Sequence, residues 1–101
     1  MDEIILPDIL TFEWDEGNIS KSWVKHKVSL KEQEQAFFDK HKRAFKDSDH
    51  SQKEERFTAL GVTDAGRRLH IILTIRKEGL RIISARNQSR KERRLYAKKE
   101  T

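Results

Sequence analysis

Three groups of residues in this 101-residue sequence carry side chains suited to phosphoryl chemistry without a metal: Lys25-His26, Glu55-Arg56, and a carboxyl-terminal set of Arg81, Arg86, Arg90, Arg93 and Tyr96. Breaking a ribose phosphodiester requires a base for the 2′-hydroxyl proton, an acid for the departing 5′-oxygen, and cations around the doubly charged phosphorane. Histidine, glutamate, lysine, tyrosine and arginine supply all three, provided that they converge in space. Each residue also has a purely structural reading. His26 shares a helical face with Ile19 and Trp23 and equally suits a packed boundary ring. Glu55 pairs as readily with Arg56 or a neighbouring strand. Arg90, Arg93 and Arg94 suit a solvated helix face, where exposed ion pairs contribute under about 1 kcal/mol. Tyr96 suits packing against a sheet, and Trp14 and Trp23 suit a core, although a tryptophan also stacks on bases.

Other chemistries lack their residues. The four histidines, at positions 26, 41, 50 and 70, include no pair four residues apart, and no cysteine is present to complete a tetrahedral zinc site. Asp47 and Asp49 beside His50 form the one magnesium candidate. Two-metal phosphoryl transfer needs carboxylates from several elements, so neither metal nor cofactor is expected. There is no glycine-rich phosphate cradle and no serine nucleophile elbow.

Charge points the same way. The chain carries 22 Lys and Arg against 17 Asp and Glu, a formal net charge of +5. The excess is concentrated between Arg76 and Lys99, where only Glu78 and Glu92 oppose the bases. Such a cationic third fits a nucleic-acid backbone or an acidic protein, with solubility as the bland alternative. The absence of cysteine suits a reducing cytosol. The apolar start, Ile4 to Leu10, has acids where a signal peptide needs bases and is too short to span a bilayer, so a cytoplasmic location and no membrane partner are expected.

The elements that must position these residues follow from periodicity. With 35% hydrophobic residues, the chain has material for one thin core, a sheet covered by helices on one face. A short strand is predicted at Thr11 to Trp14, then a helix N-capped by Asp15 and running to about Lys27. Ser29-Leu30-Lys31-Glu32 is a capping box opening a second helix, whose stripe of Leu30, Glu34, Phe37 and Phe38 nominates Phe37 and Phe38 for the core. Arg43 to Phe45 suits a brief edge strand, and Lys46 to Glu54 a polar loop. Arg56 to Val62 alternates as a strand, Asp64-Ala65-Gly66 is a turn, and Leu69, Ile71, Leu73 and Ile75 alternate strictly. Glu78-Gly79 marks a hairpin turn before a strand from Leu80 to Ala85. A second capping box, Ser89-Arg90-Lys91-Glu92, opens a last helix anchored by Leu95. The expected class is therefore α+β: two amino-terminal helices, an antiparallel sheet of three to four strands, and a carboxyl-terminal helix.

Taken in order, Phe12-Glu13-Trp14-Asp15-Glu16, Lys25-His26-Lys27-Val28-Ser29, Glu54-Glu55-Arg56-Phe57, Leu60-Gly61, Arg81-Ile82-Ile83-Ser84-Ala85-Arg86 and Lys91-Glu92-Arg93-Arg94-Leu95-Tyr96 resemble the BrnT family. The resemblance implies one domain over 1–101, with 12–99 as the family core and 1–10 as an extension that adds an edge strand or covers a patch. It implies a RelE-like fold and a metal-independent endoribonuclease that arrests translation. It also implies a BrnA-like antitoxin whose ribbon-helix-helix module binds operator DNA, in a heterotetramer. The family's functional positions fall on Lys25, His26, Glu55, Arg56, Arg81, Arg86, Arg93 and Tyr96. The roles implied are Glu55 or His26 as base, Arg86 with Arg81 as phosphate clamp, and Lys25, Arg56 and Arg93 as supporting cations, with Arg90 and Arg94 adding to the RNA-binding surface. Two positions depart from the family pattern. Lys27 stands where glycine is usual, implying a different helix exit or strain, and Ser22 stands where Asn is usual. Two other functions share these features: a catalytically silent nucleic-acid-binding module, and a protein-interaction domain whose basic face holds an acidic partner.

Overall fold

The computed structural model describes residues 3–6, 11–47, 54–77 and 79–98. Its axis is β4 (Arg68–Arg76), where strict alternation buries Leu69, Ile71 and Leu73 completely. The strands β3 (Arg56–Val62) and β5 (Gly79–Asn87) flank it, both antiparallel. β2 (Arg43–Asp47) pairs with β3, and β1 (Glu3–Ile4) pairs with β2, so the five strands lie in sequence order. The class is α+β as expected, with one strand more than the highest count expected from periodicity. That extra strand comes from the amino-terminal extension: Glu3–Ile4 forms the edge, which leaves Arg43–Asp47 internal and not at the edge.

Two helices, α1 (Lys21–His26) and α2 (Leu30–Phe37), lie over one face. Ala36 and Phe37 close the core there against Ala44, Ala59, Leu69, Ile71, Leu73 and Ile82. Gly61 is the point of closest approach: a Cβ on it would lie 2.1 Å from the Ala36 carbonyl oxygen. Phe12, Phe37 and Phe38 meet edge-to-face with centroids 5.6 Å apart, which suits the ring quadrupole. Both capping boxes form as read, Ser29 with Glu32 and Ser89 with Glu92. The helix α3 (Arg90–Ala97) crosses the opposite face, burying Phe45 and Leu60 beneath it, so helical cover is not confined to one face.

Several expectations are corrected. Thr11 to Trp14 is not a regular strand: Phe12 makes one parallel bridge to Leu80, and Glu13 N–H donates to the Leu80 carbonyl at 2.7 Å, covering the outer edge of β5. Asp15 does not cap a helix reaching Lys27. Asn18 donates to the Glu13 and Ile82 carbonyls and accepts from the Asp15 N–H, which pins residues 16–20 into turns and delays α1 to Lys21. α1 meets the sheet through Ser22, whose Oγ accepts the Ala85 N–H at 2.8 Å. Its apolar stripe therefore faces solvent, leaving Ile19 and Trp23 about half exposed, whereas Trp14 packs against the core and donates to Glu34. Phe38 likewise stands exposed beyond the last turn of α2. Lys46 and Asp47 extend β2 beyond the expected loop start. Residues 48–53 of that loop lie outside the described residues, as do Glu78 of the hairpin and residues 7–10 of the extension.

Lys27 resolves one of the departures. Its backbone is left-handed, φ 55° and ψ 40°, and its N–H closes on the Trp23 carbonyl at 2.9 Å. The helix exit is thus the one a glycine would make, and the lysine bears the strain of it. Lys27→Gly is expected to raise stability by roughly 1 kcal/mol, the left-handed penalty less glycine's entropic cost. Urea denaturation midpoints of the two proteins at equal slope check this.

Candidate active site on the open sheet face

Leu69, Ile71 and Leu73 point into the core, so the even-numbered residues of β4 point to the other face. The register across four strands arranges that face in rows. One row reads Asp47, Arg56, Thr74, Arg81; the next Phe45, Thr58, Ile72, Ser84; the third Arg43, Leu60, His70, Arg86. With strands about 4.8 Å apart, Arg56 and Arg81 stand roughly 10 Å apart across Thr74. Arg81 and Arg86 share this face because of a bulge in β5. Ile72 pairs with Ser84 but Leu73 pairs with Ile82, which leaves Ile83 as an extra residue.

Three arginines here, Arg81, Arg76 and Arg86, are anchored by carboxylates from outside the sheet. Arg81 Nη1 donates to Asp15 Oδ2, and the arginine side chain is only 16% exposed. Its guanidinium lies against Gly17, where a Cβ would come within 2.8 Å of Nη2. That hydrogen bond holds the Asp15 carboxyl below its usual range. Arg76 Nε and Nη2 donate to Glu54 at 3.1 and 2.8 Å, lowering the Glu54 pKa, and Nη1 reaches Glu13 at 3.5 Å. Arg86 donates to both oxygens of Glu92 at 2.8 and 3.0 Å and, through Nη1, to the Asn87 carbonyl.

The hydrogen-bond pattern of Arg86 leaves a definite remainder. A guanidinium has five donors in a planar fork. The end-on edge of Arg86 is taken by Glu92, and the edge formed by Nε–H and the second Nη2–H has no partner among the described residues. The Arg86 side chain is 39% exposed, and an edge of this kind has the two parallel donors that a phosphate accepts.

The other residues nominated from the sequence are distributed differently. Arg56 joins Arg81 in its row. Glu55 does not: its carboxylate pairs with Lys46 at 2.7 Å, and Lys46 alternates with Phe45 and so faces the side of α1 and α2. The carboxylate of this strand entrance that does reach the open face is its neighbour, Glu54, beside Thr74 and Arg76. Lys25 and His26 are exposed at the end of α1, where the His26 carbonyl accepts from Arg67, and among the described residues no hydrogen bond or ion pair joins them to Arg81 or Arg86. Arg90, Arg93 and Arg94 lie on α3, and all three are exposed to solvent. The Tyr96 hydroxyl donates to Asp39 Oδ2 at the end of α2; burial, then that carboxylate, pushes its pKa up to about 12. Asp49 and His50 lie outside the described residues.

Five residues of the site went unnominated: Asp15, Glu54, His70, Arg76 and Glu92. His70 was legible through parity, since it alternates with Leu69, Ile71 and Leu73 on β4 and so must face the other way. Glu92 was visible as a capping residue, but its second task depends on a contact with β5 that spacing does not encode.

The structure is thus an α+β protein with anchored arginines in cross-strand rows on an open sheet face, the class of surface a polyanion requires. The chain belongs to the BrnT family: the family described as ribonuclease toxin, BrnT, of type II toxin–antitoxin system matches residues 14–92, well over half of its length. Membership makes it, at the level of the family, a ribonuclease toxin, with RNA as substrate and an antitoxin as partner. Comparison with curated proteins finds no match. No helix among the described residues is long and apolar enough to cross a membrane.

Glu92 sets a pH dependence. Burial alone would raise its pKa, but Arg86, the Ser89 N–H and His70 bring it from 4.5 down to about 2. A depressed carboxylate contributes stability that is present above its unfolded pKa and lost as pH falls through the folded one. Wild type is therefore expected to lose stability between about pH 4.5 and about pH 2 more steeply than Glu92→Gln, which starts less stable at pH 7. Chemical denaturation across that window measures the convergence.

Proposed function

We propose that this protein is a metal-independent endoribonuclease that arrests translation by cutting RNA at the open sheet face. In this reading the ribose 2′-oxygen bonds to the adjacent phosphorus as the bond to the 5′-oxygen breaks, leaving a 2′,3′-cyclic phosphate. The 2′ proton passes to a carboxylate and the leaving oxygen takes a proton from solvent or a nearby acid. Arg86 and Arg81 form the phosphate clamp, Arg56 adds positive charge, and Arg90, Arg93 and Arg94 extend the RNA track along α3. The observation that carries the reading is that the Nε/Nη2 edge of Arg86, on the face that Arg56 and Arg81 share, has no partner among the described residues.

The resemblance offered Glu55 or His26 as base. Glu54 stands on the clamp's own face, so we assign it that role, although its pairing with Arg76 lowers its pKa and makes it a weaker base than a free carboxylate. Tyr96, with its raised pKa and its bond to Asp39, supports α3 and is a poor acid. The partner is a BrnA-like ribbon-helix-helix antitoxin that covers the basic face, binds operator DNA and forms a heterotetramer with the toxin in the cytoplasm. The whole chain acts as one domain, residues 1–10 serving as an extension whose Glu3–Ile4 closes the sheet edge.

Antitoxin-free protein incubated with end-labelled RNA and EDTA, with and without ribosomes, is expected to yield cyclic-phosphate ends. Arg86→Ala should lower the cleavage rate by about 10²–10³, the usual loss on removing one preorganised donor, in protein that circular dichroism shows to be still folded at the assay temperature. Undiminished cleavage by that variant would exclude the clamp. Salt-sensitive RNA binding without any cleavage would instead favour the silent binding module.

A further inference from the structure

The carboxylate that aims Arg86 is itself held from below. Glu92 Oε1 accepts from Arg86 Nη1 and from the Ser89 N–H, each at 2.8 Å, and Oε2 accepts from Arg86 Nη2 at 3.0 Å. The remaining approach to Oε2 is taken by His70, whose Nε2 lies 3.5 Å away. His70 sits directly opposite Arg86 in the β4–β5 register and opposite Leu60 in the β3–β4 register, and is buried to 8% exposure. Its Nδ1 is buried with no hydrogen-bond partner among the described residues. A leucine would fill the same space without an unmade hydrogen bond. Among the described residues the ring's one ion-pair contact is with an acceptor-only carboxylate, so the tautomer that fits carries its proton on Nε2.

We propose that His70 is a positioning residue for RNA cleavage, locking the Glu92 carboxylate so that Arg86 presents its free Nε/Nη2 edge to the scissile phosphate. This rests on the reading of Arg86 as the clamp. His70 touches no substrate; it acts through Glu92. The charged groups that bear on the imidazole are Glu92 from α3, Arg86 from β5 and Asp47 from β2, while β3 contributes Leu60. Burial holds its pKa below the ordinary 6.5, so the ring is neutral at pH 7. Once protonated, the imidazolium competes with Arg86 for Oε2 and loosens the clamp.

Two variants separate this role from packing. His70→Phe removes the donor and keeps a ring; His70→Gln keeps an N–H within reach of Glu92 but does not titrate. His70→Phe is expected to lower kcat by about tenfold to a hundredfold, the scale of a small misplacement of a reacting group, with KM nearly unchanged. His70→Gln should retain most of the rate and lose the acid limb of the pH–rate profile below pH 6.5. In parallel, the Arg86 Nε–H resonance of ¹⁵N-arginine-labelled protein should shift as the pH is lowered below 6.5 in wild type and stay still in His70→Gln. Wild-type kcat in a folded His70→Phe, or an unchanged acid limb in His70→Gln, overturns the proposal, and the second result decides if the phenylalanine variant does not fold. If wild type cuts no RNA while the Arg86 resonance follows His70, the ribonuclease reading fails and the coupling stands. If RNA is cut and the resonance ignores His70, the coupling fails alone.

Discussion

Arg86 lies five positions after Arg81, and in an unbroken strand an odd step sends two side chains to opposite faces. The extra residue at Ile83 changes the parity. It allows Leu80, Ile82 and Ala85 to face the core while Arg81 and Arg86 both face away. Everything proposed for the open face depends on this irregularity. Without it one arginine would be driven into an apolar layer containing Leu73 and Ile71, at a desolvation cost no partner there could offset.

The open face is prepared for anions by being already full of paired charge. Asp15, Glu54 and Glu92 come from three separate segments, and each holds a guanidinium in a set direction. Exposed ion pairs contribute little to stability, so their effect is chiefly on orientation. A cation whose aim is fixed before substrate arrives needs no reorganisation when charge develops on a phosphorane. The same segments protect the fold. Residues 11–22 hydrogen-bond to Leu80, Ile82 and Ala85, closing the outer edge of β5, which would otherwise be open to pairing with another chain.

The helix α3 shows how little apolar burial an element needs when its ends are tied. It has no buried residue of its own. Its start is held by the Ser89–Glu92 box and by Arg86, and its last turn by Arg43 donating to the Leu95 and Lys98 carbonyls and by Tyr96 on Asp39. Because Glu92 serves both as capping residue and as anchor of Arg86, the folding of α3 and the aiming of the clamp are one event.

Local signals carried the secondary structure a long way: both capping boxes, the alternation of Leu69, Ile71 and Leu73, the Asp64-Ala65-Gly66 turn and the α+β order are consequences of neighbouring residues and could be read from them. The left-handed site at Lys27 was signalled only by the family resemblance, in which glycine is usual there and lysine implied a different exit or strain; the exit is unchanged and the strain is present. What spacing could not convey was direction and company. Glu54 and Glu55 are adjacent, and only the register with β2 and β4 decides which of them meets the arginines. Trp23 read as core because its helical stripe was apolar, but α1 attaches through Ser22 and Asn18, polar contacts to a strand more than sixty residues away in the chain. Residue types set the chemistry this protein can attempt; the sheet register and one bulged residue decided where that chemistry gathers, because facing is a property of pairing between strands and not of any strand alone.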